Sequence, residues 1–487
     1  MVDNKKYSVP LYTTSNGCPV RNPNAMLKIG KFGPNLLEDH HFIDLIAHFD
    51  RERIPERVAH AKGSGAYGYL EVTDDISDLV SADFLNGVGK KTPLFNRFST
   101  VGPEKGSSDT VRDPRGFATK FYTEEGVIDW VNINSPIFFI RNGVQFPFLV
   151  HTQKSRDPKT NLKDVNMYWD FLLNNPESVH NTMFVFSDRG IPRSYRHMHG
   201  FSAHTYKWTN AKGEWHYVQI HLLTDQGIEN FTNEEGHKMA ADNPDHDGQD
   251  LYEAIERGEY PSWTVYVQTM TPEQAEKASF SVFDLTKTWP HSEYPLRRFG
   301  KFVLNRNPEN YFAEVEQAAF SPANTVPGIE PSADPVLQAR LFSYADTQRH
   351  RLGPNFMQIP VNCPLQAHNP FQRDGPGTVN GNYGSAPNYP SSFEPLSYST
   401  TANLSDANHE KWVGQATNFQ WSATEEDYVQ PLELWKVFKK TGQADAFIHN
   451  VSLNLKGANP EIQQRAIAMF SRVSPEIGTL IQGNLTG

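Results

Sequence analysis

Two residues one helical turn apart hold the clearest chemistry in this chain. The segment DPVLQARLFSYADTQRHRLGP places Asp334 at a cap position and Pro335 in a first turn, and it stops at Gly353-Pro354, so the pattern predicts a helix. Arg340 and Tyr344 then share one face, because side chains four apart on a helix are neighbours. A guanidinium beside a phenol favours the anionic phenolate. Such an oxygen is a hard ligand for ferric iron, and tyrosine is one of the few axial ligands of haem iron. The same spacing also fits a core tyrosine beside a surface arginine.

Other reactive residue types are less organised. His197, His199 and His204, in RHMHGFSAH, lack a diagnostic metal-ligand spacing. Cys18 and Cys363 are the only cysteines and form no paired motif for zinc, haem attachment or a disulfide framework. This usage points to a reducing compartment, with Cys363 in VNCP an ordinary buried thiol.

The elements that must position these groups are legible in outline. At 487 residues the chain can enclose a large cofactor, since single cores stop growing beyond about 250–300 residues. Residues 1–50, broken by Gly17, Pro19, Pro23, Gly30, Gly33 and Pro34, read as an extended arm. Residues 51–305 hold short aromatic and β-branched runs: AYGYLEVT, TPLFNRFST, GFATKFYT, SPIFFI, MFVFS, HTYKW, HYVQIHLLT, SWTVYVQTM and KFVLNR. So many strands predict an antiparallel barrel or sandwich, interrupted by helices near 165–173 and 244–257. Residues 306–424 hold the Arg340/Tyr344 helix and then a stretch, 367–403, without secondary-structure period. Phe371, Tyr383, Tyr389, Phe393 and Tyr398 suggest that this stretch is pinned to a surface. Residues 425–487 turn helical, with apolar residues at three and four spacings.

Charge excludes some partners. Lys plus Arg is 45 against 56 for Asp plus Glu, a formal −11, with no long basic run, so nucleic acid and anionic membrane are not expected partners. No apolar run approaches the roughly 18 residues of a membrane span, and no signal peptide is legible. The terminal GNLTG is not an SKL-type address. The expectation is a cytoplasmic or peroxisomal protein.

Around Tyr344, RLFSYADTQRHRLGPNFMQIPVNCP resembles the proximal signature of monofunctional haem catalases, fungal type. FDRERIPERVAHAKGSGAYGYLEV, residues 49–72, resembles their distal signature, and the similarity continues through SDTVRDPRGFATKFYT, FSDRGIP, PSWT, FDLTKTWPH and VLNRNPENYFAEVEQAAF. The resemblance implies an α+β fold: an antiparallel β-barrel with helical inserts, a wrapping segment and a C-terminal helical domain. It implies haem b, with Tyr344 on the iron, Arg340 supporting its anionic form, and Arg57, Arg97 and Arg340 around the propionates. His60 would be the distal acid and base, oriented by Ser99. That role suits peroxide chemistry, because splitting the O–O bond needs one proton moved between its oxygens. Phe138 and Phe146 match residues lining the distal pocket, as Phe139 does less convincingly, and Val101 and Asp113 match the approach channel. His180, Ser187, Arg189, Trp289 and His291 match an NADPH site, from which Leu223 and His199 depart. A homo-oligomer, dimer or tetramer, is implied too.

One position departs from the family where the chemistry is concentrated. Relatives carry an asparagine that hydrogen-bonds peroxide opposite the distal histidine, and counting back from Pro136 puts Ile133 in its place. Isoleucine can neither donate nor accept. RNGVQFP, after the FFI run, departs as well. The first reading is therefore a catalase-like oxidase diverted to secondary metabolism, resembling the chanoclavine synthases of ergot-alkaloid pathways and using hydrogen peroxide or superoxide on a small organic substrate. The alternatives are a true hydrogen peroxide catalase with a weakened distal pocket, and a non-catalytic haem protein.

Overall fold

Strict alternation of side chains divides four consecutive strands between two cores. These are β1 (Gly63–Val72), β2 (Lys91–Ser99), β3 (Gly116–Thr123) and β4 (Gly126–Ile133) of a computed structural model that describes residues 9–399 and 412–486. Ala66, Leu70, Leu94, Phe98, Phe117, Phe121, Ile128 and Trp130 face one way into the largest apolar cluster. Tyr67, Phe95, Ala118, Tyr122 and Val131 face the other way, into a smaller cluster that includes Tyr344. With period two, the same four strands supply both the barrel interior and one wall of the site.

The sheet continues through β5 (Gly200–Phe201), β6 (Tyr206–Thr209), β7 (Trp215–Thr224), β8 (Ser262–Met270), β9 (Arg297–Arg306) and β10 (Ile329–Pro331). The order β1-β2-β3-β4-β5-β7-β8-β9 closes on itself through β9–β1, so eight strands form an antiparallel barrel and β6 and β10 extend it beside β7. Closure leaves these eight strands no free edge.

In chain order the helices are α1 (His40–Phe49), α2 (Phe146–Lys154), α3 (Val165–Asn174), α4 (Val179–Phe186), α5 (Asn233–Asp242), α6 (His246–Glu256), α7 (Pro272–Lys277) and α8 (Pro335–Leu352). They end with α9 (Val429–Thr441), α10 (Ala444–Leu455), α11 (Pro460–Val473) and α12 (Pro475–Thr486). The chain forms two compact units, residues 1–56 and 57–487. In the second, α3, α4 and the last four helices share a core with Phe138, Phe139 and Ile140. A buried ionic knot joins them to the barrel side: Arg141 donates to Asp427 at 2.8 Å and Asp284 at 3.1 Å, and Lys287 donates to Asp427 at 2.6 Å.

Several local expectations differ from the structure. MFVFS is not a strand but the end of α4, where Val179, Met183 and Phe186 are buried at helical spacing. SPIFFI is irregular chain buried under the helices; a short apolar run reports burial without choosing a conformation. The GVIDWVNI run, absent from the expected strands, is β4. The arm contains α1, capped by Asp39 through the Phe42 amide. Of the aromatic residues expected to pin the wrapping segment, Phe371, Tyr389, Phe393 and Tyr398 are exposed. Polar groups hold it instead, with Asn355 donating to the Asp374 and Pro376 carbonyls and the Thr378 hydroxyl. Residues 400–403 of that segment and 1–8 of the arm lie outside the described residues. Cys363 is exposed, not buried.

One buried charge makes a stability prediction. Asp247, in the first turn of α6, is fully buried with neither carboxylate oxygen hydrogen-bonded. Burial, reinforced by Asp109 against the pull of Arg115, holds its carboxyl well above the ordinary range. The folded chain therefore keeps a proton that the unfolded chain releases, and stability falls as pH rises through that window. Asp247→Asn has no such proton. Its melting midpoint should exceed that of wild type by roughly a few degrees at pH 8 and converge with it towards pH 4, measured in parallel thermal melts.

Candidate active site

His60 lies just before β1 in a conformation that few side chains adopt. Its φ is 62°, the left-handed region where a non-glycine residue is strained. Four contacts hold it there. Its N–H donates to the Val101 carbonyl at 2.9 Å, and Arg97 donates to the carbonyls of His60 and Ala61 at 2.8 and 3.1 Å. His60 Nδ1 meets Ser99 Oγ at 2.9 Å. Arg97 and Ser99, two apart on β2, thus reach the same segment, as strand alternation requires. The imidazole lies over Gly116: a Cβ there would come within 2.6 Å of His60 Nδ1 and 2.5 Å of Ser99 Oγ, so only glycine leaves room. Burial first, then Arg97, Arg340 and Arg57, lower the His60 pKa to about 3. The ring is neutral at physiological pH, and with Nδ1 on Ser99, Nε2 is the nitrogen open to a small molecule.

Across the cavity, α8 begins with Asp334 accepting from the Val336 and Leu337 amides at 2.9 and 3.0 Å. Arg340 Nη2 donates to Tyr344 Oη at 2.7 Å and to the Val131 carbonyl at 3.1 Å, and the guanidinium lies 4.8 Å from the Tyr344 ring centre. Burial opposes the Arg340 charge, but Tyr344, Tyr206 and Asp334 outweigh it and hold its pKa above the usual value. His204 Nδ1 meets the second Asp334 oxygen at 2.6 Å. One carboxylate therefore both starts the helix and anchors a buried histidine beside the Arg340/Tyr344 pair. Nothing in the sequence links His204 to a partner 130 positions away. Gln348 also lines the cavity, and its spacing of four from Tyr344 would have placed it there.

Two adjoining cavities, of about 670 and 500 Å³, share His60, Val131, Asn132, Phe146 and Tyr344 as walls. The larger has a guanidinium side, Arg57 and Arg97, and an apolar side with Ala118 and Phe320. Arg57 Nη1 and Arg97 Nε are buried without hydrogen-bond partners. Burial, then Arg97 and Arg351, push the Arg57 pKa far down, so this crowded cationic end favours an anionic ligand edge. The smaller adds Val101, Ile133, Phe138, His204 and Arg340. These walls fit a flat apolar macrocycle with carboxylates on one edge, which Tyr344, His60, Arg57 and Arg97 would hold. Phe139 is packed among the helices. Asp113 is buried next to the Val101 turn, accepting from the Val101 and Gly102 amides at 2.5 and 3.0 Å, and it lines a separate cavity of about 740 Å³.

The five residues matched to an NADPH site come from two segments that touch. His180 on α4 meets the Thr286 carbonyl at 2.9 Å, tying α4 to the stretch that bears Trp289 and His291. Trp289 packs with Tyr217, Met270, Val282 and Tyr294, and the His291 ring lies 6.0 Å from that of His221. Ser187 caps the next turn, and the Arg189 guanidinium lies over Phe184. His199 accepts from the Thr224 amide, and burial followed by Arg189 lowers its pKa to about 4, so it brings no cation. Among the described residues no cluster of three or more metal-ligating side chains occurs, and no helix is long and apolar enough to cross a membrane.

Known proteins resemble this chain over nearly its whole length. Residues 13–395 match the catalase family and residues 421–485 the catalase-related immune-responsive family. Peroxisomal catalase of Candida tropicalis is 60% identical over 476 residues, covering 97% of this chain and 98% of that protein. Peroxisomal catalase A of Saccharomyces cerevisiae is 54% identical, covering 96% of this chain and 92% of its own length. The solved structure of catalase A from Saccharomyces cerevisiae superposes with a TM-score of 0.96 at 54% identity, covering 98% of this chain and 99% of that one. A chain whose cavities are lined by a neutral histidine and an arginine-backed tyrosine, and that is this similar to fungal catalases, belongs to the fungal-type monofunctional haem catalase family, oxidoreductases whose cofactor is haem b.

Proposed function

We propose that the protein disproportionates hydrogen peroxide, 2 H₂O₂ giving 2 H₂O and O₂, with Tyr344 holding haem iron and His60 moving the proton. The observation that carries this reading is the His60 imidazole, kept neutral by burial and fixed through Nδ1 to Ser99, lining the same two cavities as the arginine-backed Tyr344. Haem iron, when bound, supplies the two-electron redox chemistry. His60 Nε2 accepts the proton from one peroxide oxygen and returns it to the other, which leaves as water. Ser99 fixes the ring orientation, and Arg340 stabilises negative charge on Tyr344 Oη. Arg57 and Arg97 hold the propionate edge, while Phe138 and Phe146 exclude bulk water and bulky reductants. In haem-loaded protein an oxygen electrode should record one O₂ per two H₂O₂ consumed. Consumption without O₂ would overturn this reading.

The oxidase diverted to secondary metabolism, first in order on sequence alone, becomes the second reading, because relatives 54–60% identical over nearly the whole chain are named catalases. Ile133 on the cavity wall is the observation in its favour. It predicts product from a small organic substrate, suppressed by superoxide dismutase if superoxide is the oxidant. NADPH binding beside Trp289 and His291, a homo-oligomer, and a peroxisomal location like that of the named relatives complete the proposal.

A further inference from the structure

Ser99, Gly116 and Ile133 form one row across three strands, because Ser99 pairs with Gly116 and Gly116 with Ile133. Directly opposed residues share a face. The first member holds His60 Nδ1, the second lies under the imidazole, and the third is an alkyl group on the wall of the smaller cavity, which His60 also lines. Val101, Phe138 and Phe146 continue that wall. Asn134 Oδ1 accepts from the Arg115 amide at 2.8 Å. Asn132 borders the same cavity but pairs with Phe117, whose side chain lies in the barrel interior, and its amide nitrogen is buried and unpartnered. A small molecule beside His60 in this cavity thus meets a proton relay and, among its other walls, the hydrocarbon side chains of Ile133, Val101, Phe138 and Phe146.

We propose that Ile133 is a specificity-determining residue that shifts this site from hydrogen peroxide towards hydroperoxides bearing a short alkyl group. The proposal rests on the peroxide reading above. Hydrogen peroxide has a polar group at each end, and the end turned to Ile133 loses its hydrogen bonds to water without replacement. In an alkyl hydroperoxide that end is hydrocarbon, and each methylene buried against Ile133 and Phe138 gains roughly fourfold in affinity. The reaction balances with hydrogen peroxide as reductant: ROOH + H₂O₂ gives ROH + H₂O + O₂. The O–O bond of ROOH breaks, and its oxygens take two electrons and two protons, leaving as ROH and water. Hydrogen peroxide gives up those electrons and protons and leaves as O₂. His60 carries the proton to the leaving alkoxy oxygen.

The test compares haem-loaded wild type with Ile133→Asn, which restores a donor, Ile133→Thr, a second polar variant that keeps the β-branched shape, and Ile133→Val, which keeps the wall apolar. The ratio of kcat/KM for ethyl hydroperoxide to that for hydrogen peroxide should fall at least tenfold in Ile133→Asn, less in Ile133→Thr, and stay within about twofold in Ile133→Val. An activity-independent arm titrates cyanide against the Soret band, because a donor at position 133 stabilises a bound polar diatomic. Its Kd should fall about tenfold in Ile133→Asn and not in Ile133→Val. Ratios and cyanide affinities in both polar variants within twofold of wild type overturn the proposal. If wild type turns over neither peroxide, the peroxide reading of the site has failed, and the role of Ile133 is decided by the cyanide arm alone.

Discussion

Tyr344→Phe will abolish stable haem binding while leaving the barrel folded. The substitution removes one oxygen and little volume, and no strand depends on that oxygen. The local electrostatics change sharply, however. Arg340 donates to Tyr344 Oη at 2.7 Å inside a buried setting and keeps the Val131 carbonyl and the neighbourhood of Asp334 as its other supports. Without the phenol oxygen, Arg340 Nη2 keeps only the Val131 carbonyl, and losing a hydrogen bond to a charged group costs about 1.5–3 kcal/mol. The iron would also lose its proposed anionic ligand. Together these effects should cut the haem retained through purification at least tenfold, measured by pyridine haemochromogen absorbance per mole of protein. Circular dichroism should remain that of wild type. A variant that keeps full haem with an unchanged ferric spectrum would show that the iron is held elsewhere.

Site and fold were legible in the sequence to different depths. The Arg340/Tyr344 pair was readable because both residues sit on one helix whose start and stop signals, Asp334-Pro335 and Gly353-Pro354, are local. Helical spacing alone then fixes the contact. The barrel was readable strand by strand, except where burial and conformation separate: an apolar run such as MFVFS or SPIFFI reports only that water is excluded. The strand GVIDWVNI was overlooked although it obeys period two, with Ile128 and Trp130 facing in and Val131 and Ile133 facing out. What no local pattern holds is contact between distant segments. His204 meets Asp334, Arg97 braces the His60 backbone, and Gly116 clears room for the imidazole, each across tens of residues. The resemblance to catalases supplied the role of His60. The structure adds why the residue sits as it does, in a left-handed conformation braced by four contacts.

That conformation shapes the second large prediction, because it decides which substitution tests chemistry rather than folding. At φ 62° most side chains are strained, and asparagine is among the few that tolerate the region. His60→Asn should therefore fold, keep a hydrogen bond towards Ser99 and retain haem, since the proposed iron ligand is Tyr344. Its amide cannot take up and return a proton. Positioned general acid–base catalysis contributes roughly a hundred- to ten-thousand-fold, so kcat/KM for hydrogen peroxide should drop by a factor in that range while haem content stays within about twofold of wild type. Ser99→Ala should lose less, because it leaves the imidazole in place and removes only its orienting partner. The pH profile separates relay from scaffold. In wild type the active form is the neutral ring, which is lost only as pH falls through about 3, so kcat/KM should be flat from pH 5 to 9 with no inflection near the ordinary histidine value. A histidine titrating near 6.5 would give half-maximal activity there, and such an inflection would mean that burial and the three arginines do not hold the ring neutral. Undiminished turnover in His60→Asn would remove the residue from the mechanism altogether.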